Sequence, residues 1–286
     1  MISPLRPTAT RPHAPVTLAV TSGKGGVGKT NVVVNLAVSL ARLRNRVAIL
    51  DADFGLGNVD VLLGLAPAGH LGHVLTGERA MRDILVEGPH GVQILPATSG
   101  LRELTALTPT HWERLNRGLL EIGDALDFLI IDTGAGVSGN VIDTLCGTDR
   151  VMVVTSPEPT AVVDAYAVIK VLTTAGAAAE IGILVNGAHD EVEADLVFRQ
   201  LDVAATRFLH RHVSSFGFVT DDPAVRHAVL QQRAVVDHAP QSAASRCFRI
   251  LAARVARLAP LDGPGLRLLP RQAPSAVSVT EAPQCA

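Results

Sequence analysis

Nine residues, Ser22-Gly23-Lys24-Gly25-Gly26-Val27-Gly28-Lys29-Thr30, restrict this chain to a narrow set of folds. An apolar run from Val16 to Val20 leads into them, and a helical pattern over about Asn31 to Arg44 leads out. Gly23, Gly28, Lys29 and Thr30 satisfy G-x-x-x-x-G-K-[ST] in the strand–loop–helix setting that the motif requires. Each residue type has a reason. Glycines let backbone N–H groups turn inward around phosphate oxygens with no Cβ in the way. The helix that follows aims the positive end of its dipole at the same anion. Lys29 is placed to reach the β- and γ-phosphates, and the Thr30 hydroxyl offers a ligand to Mg²⁺. Gly25, Gly26 and Val27 complete the cradle, with Asn31 directly behind it.

The rest of the chain repeats the same alternation. Short apolar runs at 46–50, 92–95, 128–131, 151–154, 181–185 and 213–219 are separated by helical patterns at about 110–122, 161–175 and 191–209. A weakly helical stretch is expected over Leu71 to Val86, and a short helix over Val59 to Leu63. Two more helices, near 223–231 and 241–258, finish the domain. Apolar residues make up 48 % of the chain and aromatic ones only 3 %, so the core must be built of Val, Ile, Leu and Ala, as suits buried parallel strands. The pattern predicts an α/β fold: one three-layer domain, a mostly parallel twisted sheet with helices on both faces and right-handed crossovers. That domain is expected over residues 16–258, between a disordered arm (1–15) and a disordered tail rich in Pro, Gly and Ser (259–286).

In open parallel sheets ligands bind beyond the carboxyl ends of the strands. Besides the phosphate loop, three such ends carry polar groups: Asp51 with Asp53, Asp132, and Asn186. An acid after a fully apolar strand, Phe128-Leu129-Ile130-Ile131-Asp132, is the Walker-B arrangement, in which the carboxylate binds Mg²⁺ directly or through water. Asp51 and Asp53 point to opposite sides of an extended chain. One of them is therefore expected to face the attacking water and the other to touch the Mg²⁺ shell or a neighbouring loop. Asn186 presents a donor and an acceptor, which match the N6 and N7 edge of adenine, though a lone Asn after a strand also serves as a turn residue.

Here the chain resembles a known family. Lys24-Gly25-Gly26-Val27-Gly28-Lys29-Thr30 is similar to the deviant Walker A motif of the MinD/ParA ATPases (P-loop NTPases of the SIMIBI class), marked by the extra lysine at Lys24. The likeness continues through Asp51-Ala52-Asp53 with Gly55-Leu56-Gly57-Asn58, and through Ile131-Asp132-Thr133-Gly134-Ala135-Gly136. Within the family, Lys29-Thr30-Asn31, Ser156-Pro157-Glu158-Pro159-Thr160, Asp164-Ala165-Tyr166 and Val185-Asn186 resemble the flagellar-number regulators FlhG, also called FleN or YlxH. The resemblance implies ATP and Mg²⁺ as cofactors and a homodimer closed face to face over two ATP molecules. It assigns Lys24 to the partner's phosphates, Asp53 to the attacking water, Thr30, Asp51 and Asp132 to the metal, and Asn186 to adenine. A slow ATPase acting as a switch follows, cytoplasmic, with partners in flagellar assembly such as an FlhF-like GTPase or a transcriptional regulator. Two departures stand out. Thr220 occupies a place where the family usually has proline, and residues 1–15 lack the glutamine-rich motif by which many homologues stimulate the GTPase.

The family often ends in a membrane-binding helix. Phe248, Leu251, Val255 and Leu258 share one helical face with Arg246, Arg249 and Arg257 opposite, which reads first as a packed helix with a solvated basic back and second as a peripheral membrane contact. The charge balance, 25 basic against 27 acidic residues, argues against nucleic acid as the main partner and so against a ParA-type DNA role. Cys146, Cys247 and Cys285 are widely spaced, without the pairing that a disulfide framework or an iron–sulfur carrier needs. A tyrosine autokinase is excluded because Tyr166 is the chain's one tyrosine. The arm has no apolar core of a signal peptide, and no apolar run reaches membrane-spanning length.

Overall fold

Strand alternation decides the layering. In β1 (Val16–Thr21), Val16, Leu18 and Val20 pack into one apolar cluster while Ala19 packs into another on the opposite face. The same division runs through β2 (Val47–Ala52) and β5 (Phe128–Thr133), so both faces of the sheet are buried. The structure is a computed structural model, in which residues 14–97, 107–260 and 268 are described.

After β1 come α1 (Lys29–Arg42), β2, α2 (Val59–Leu62), α3 (Leu71–Thr76), β3 (Val86–Glu87), β4 (Gln93–Leu95), α4 (Pro109–Gly123) and β5. There follow α5 (Gly139–Cys146), β6 (Arg150–Thr155), α6 (Pro159–Thr174), β7 (Glu180–Ala188), α7 (Glu191–Leu209), β8 (Ser214–Thr220), α8 (Pro223–Leu230), α9 (Val235–His238) and α10 (Ala243–Val255). The sheet order is β3-β4-β2-β5-β1-β6-β7-β8. Every pairing is parallel except β3 with β4 at the edge. The expected fold class is thus the observed one. β1 lies between β5 and β6, and the chain winds outward from it in both directions, which makes its carboxyl end the switch point where such sheets bind ligands.

The stretch expected to be weakly helical from Leu71 to Val86 divides. Gly77, in the left-handed region at φ 84°, caps α3, and a 3₁₀ turn (Met81–Ile84) leads into β3. The helix α5 was not expected; only Val141, Ile142 and Leu145 of its eight residues carry the apolar face, too few for a clear period. At α4 the candidate cap Thr108 accepts the His111 N–H through its hydroxyl.

The last helix is packed. Phe248, Leu251 and Val255 are at most 2 % exposed, in the cluster that includes the apolar residues of α1. No helix among the described residues is long and apolar enough to cross a membrane. Of the arm expected at 1–15, residues 1–13 lie outside the described residues. Of the tail at 259–286, Ala259, Pro260 and Leu268 are described. Leu268 is buried in the cluster on the α4 face, and Asn116 of α4 clasps its backbone with both side-chain atoms, donating to its carbonyl at 2.6 Å and accepting its N–H at 2.7 Å.

Asp222 ties the end of the domain together. Its carboxylate accepts the Ala224 N–H as the cap of α8, and the Ala244 N–H at the start of α10, each at 2.9 Å. Burial pushes its pKa up, but these N–H donors and the Ser242 hydroxyl outweigh that and hold it below the ordinary carboxylate value. A depressed folded-state pKa contributes stability above the unfolded value near 4, lost as pH falls through the folded one. Asp222→Ala is expected to cost about 1–2 kcal/mol at neutral pH, measured by denaturant unfolding. The difference from wild type should shrink as pH falls below the unfolded value near 4.

Candidate active site

The carboxyl ends of β1, β2, β5 and β7 converge on the phosphate loop, and the loop separates two clefts. The first, about 730 Å³, is lined by Lys29, Thr30, Asn31, Asp53, Gly134 and Asn140, among others. The second, about 570 Å³, is lined by Lys24, Glu158, Asn186, His189 and Asp221, with Gly25, Gly26 and Gly28 as the shared wall. A phosphate chain on the loop therefore has a catalytic side and a side suited to a base.

The loop's shape depends on two glycines. Gly28 has φ 89° and caps α1, so the first turn of that helix opens onto the cleft with no side chain covering it. A Cβ at Gly23 would stand 2.1 Å from the Asp164 carbonyl oxygen in α6, a distance no side chain tolerates. The loop is braced by the Ser22 hydroxyl, which donates to the Lys24 carbonyl, and by the Gly136 N–H, which donates to the Ser22 carbonyl.

Asp132 is 2 % exposed, and its Oδ1 is buried with no hydrogen-bond partner. Burial pushes its pKa up to about 6, against the Thr30 hydroxyl and the positive charge of Lys29, which pull it down. A carboxylate oxygen that is buried, unpartnered and beside a hydroxyl and a lysine fits a divalent cation held between Thr30, Asp132 and a bound polyphosphate.

Asp51 and Asp53 diverge as alternation requires. Asp53 lines the first cleft, and its Oδ1 accepts the Leu56 N–H at 3.1 Å. Asp51 is turned inward beside Asp132, its register partner on β5. Both its oxygens are held by backbone N–H groups, Oδ1 by Asp53 and Oδ2 by Val59, each at 3.2 Å. Burial, then the charge of Asp132, raises its pKa to about 8. Like Asp132 it lies behind the cleft and not on its lining, and through these two N–H groups it shapes the loop that presents Asp53.

On the other side, the Asn186 amide donates to the Val27 carbonyl at 2.8 Å. One N–H and the carbonyl oxygen remain for a ligand. Asp221 joins this wall, whereas the Thr220 hydroxyl donates to the His189 carbonyl. Sequence reasoning missed what holds Lys24: its ammonium lies 2.5 Å from Glu158 Oε2 and 3.2 Å from the Thr160 hydroxyl. Glu158 was visible only as part of the Ser156–Thr160 stretch; nothing local marks it as the partner of a residue 134 positions earlier. Asn140, which lines the first cleft, belongs to the unexpected α5 and had no signal.

A family model described as an AAA domain matches residues 16–180. The chain is 43 % identical over 243 residues to the antiactivator FleN of Pseudomonas aeruginosa, covering 85 % of this chain and 87 % of that protein. It is 40 % identical over 156 residues to the flagellum site-determining protein YlxH of Helicobacter pylori, covering 54 % of this chain and 52 % of that one. Among solved structures, the septum site-determining protein MinD of Pyrococcus horikoshii, complexed with Mg-ADP, superposes with a TM-score of 0.71 at 25 % identity, covering 85 % of this chain and 96 % of that one.

Proposed function

The chain belongs to the MinD/ParA family of ATPases, which use ATP and Mg²⁺, and from that premise we propose that it is a dimerising, ATP-driven switch acting on flagellar assembly. The identity to FleN over most of both chains carries the biological half of this reading. The placement of Lys24 carries the mechanistic half.

Each residue has a part. Lys29 and the loop N–H groups hold the β- and γ-phosphates. Thr30 and Asp132 hold Mg²⁺, with Asp51 setting the loop behind them. Asp53 orients water in the first cleft, and Asn186 reads adenine in the second. Lys24 lines the second cleft with Glu158 and not the first, so it does not serve the phosphates beside it in this state. A second subunit, closed face to face, supplies the phosphates that it reaches. The cation then meets the charge that develops in hydrolysis, as an arginine finger does. The dimer stands while ATP is intact and separates afterwards, presenting and withdrawing a surface for flagellar partners. The apolar face of α10 is buried in the core, so a membrane contact forms no part of this proposal.

Two measurements test the reading. Expression in Pseudomonas aeruginosa lacking its FleN should restore the wild-type number of flagella per cell; an unchanged count overturns the flagellar assignment. For the metal site, a carboxyl that holds its proton up to about pH 6 must lose it to bind a cation. Below that pH, magnesium affinity in the presence of ATP should fall by about tenfold per unit, read by calorimetry.

A further inference from the structure

A second recess, on the outer surface between α3 and α4 and away from the phosphate loop, is lined by arginines. It measures about 360 Å³; Arg79, Arg114 and Arg117 form its walls with Glu121, and Val74 and Met81 form its floor. Two of the guanidinium groups are already aimed. Arg114 donates to the Leu75 carbonyl at the end of α3, and Arg79 donates to the Ala68 carbonyl at 3.0 Å. Among the described residues, none of the three has a carboxylate within ion-pair distance, whereas Arg42, Arg46, Arg150 and Arg199 each have one. Each guanidinium has five donors in a rigid fork suited to a carboxylate, so most of this capacity is unused.

The shape of the recess also limits what enters. It stands at the end of α3, where Arg114 already satisfies the Leu75 carbonyl. At about 360 Å³, with Glu121 already in its wall, it holds a few side chains and not the length of a duplex or a membrane surface. Gly118 lets Met81 pack flat against α4 as that floor: a Cβ there would stand 2.7 Å from Met81 Cε. We propose that this recess docks an acidic segment of a partner protein, carboxylates on Arg79, Arg114 and Arg117 and an apolar side chain on the floor between them. It lies outside the nucleotide clefts, so it acts independently of the catalytic assignment above.

The probe is a fluorescein-labelled peptide of alternating glutamate and leucine, titrated against the full chain by anisotropy. Saturable binding that weakens with salt is expected. The double charge reversal R79E/R117E, at two exposed positions, should raise the dissociation constant by about tenfold or more while ATP turnover and the melting curve stay at wild type. Should the double variant melt early, R117E alone is used, since Arg117 makes no side-chain hydrogen bond or ion pair among the described residues. It should weaken binding by about threefold or more. Equal affinity in wild type and variant, binding by a lysine–leucine peptide of equal strength, or displacement of the acidic peptide by duplex DNA or millimolar phosphate overturns the proposal.

Discussion

Lys24→Ala should bind Mg·ATP almost as well as the wild type and hydrolyse it about 10³-fold more slowly or worse. Binding should survive because the proposed phosphate holders are Lys29, Thr30 and the loop N–H groups, while the Lys24 ammonium is turned to Glu158 and Thr160. On the proposed mechanism turnover falls, because that ammonium would be the cation a second subunit brings to the charge that develops on the phosphates. Its present tie to Glu158 does not prevent this role: the two side chains are 39 % and 64 % exposed, and exposed pairs contribute only about 0.2–1 kcal/mol. In the proposed dimer, a phosphate oxygen across the interface would outcompete such a partner. Phosphate release and nucleotide binding measured on the same preparation separate the two effects. Turnover at the wild-type rate would remove Lys24 from the chemistry.

Asp53→Asn should leave the nucleotide bound and the dimer assembled. In the first cleft, Asp53 is the acid with room for water, while Asp51 and Asp132 are buried behind it. The amide cannot take a proton from water or hold it in the same orientation, and losing that contribution lowers rates by about 10²–10⁴-fold. The visible consequence is accumulation of the ATP-bound dimer, detected by light scattering with Mg·ATP and absent with Mg·ADP. A variant that binds ATP and stays monomeric would contradict the switch itself.

Much of this site was legible before any coordinates. The phosphate loop, Asp132, Asn186 and the pairing of Asp51 with Asp53 follow from strands ending in polar residues, because the alternation of buried strand and helix forces those ends to one edge. Which of the two acids faces the cleft was left open by alternation alone; the depth of the Val59 and Asp53 N–H groups decided it. The Leu71–Val86 stretch misled because apolar spacing persists across Gly77, while the backbone there adopts a left-handed turn that ends a helix. The Lys24–Glu158 contact and the clasp of Asn116 on Leu268 join residues more than a hundred positions apart, and no local pattern encodes such meetings.

The contact of Gly23 with α6 has a mechanical meaning. Loop backbone presses directly on helix backbone at Asp164, with no side chain between them to deform. Packed interiors of this kind pass strain on instead of absorbing it. Any displacement of the loop at Gly23 would therefore have to be matched by α6, which carries Glu158 at its cap, Thr160 in its first turn and the outward-facing Val163.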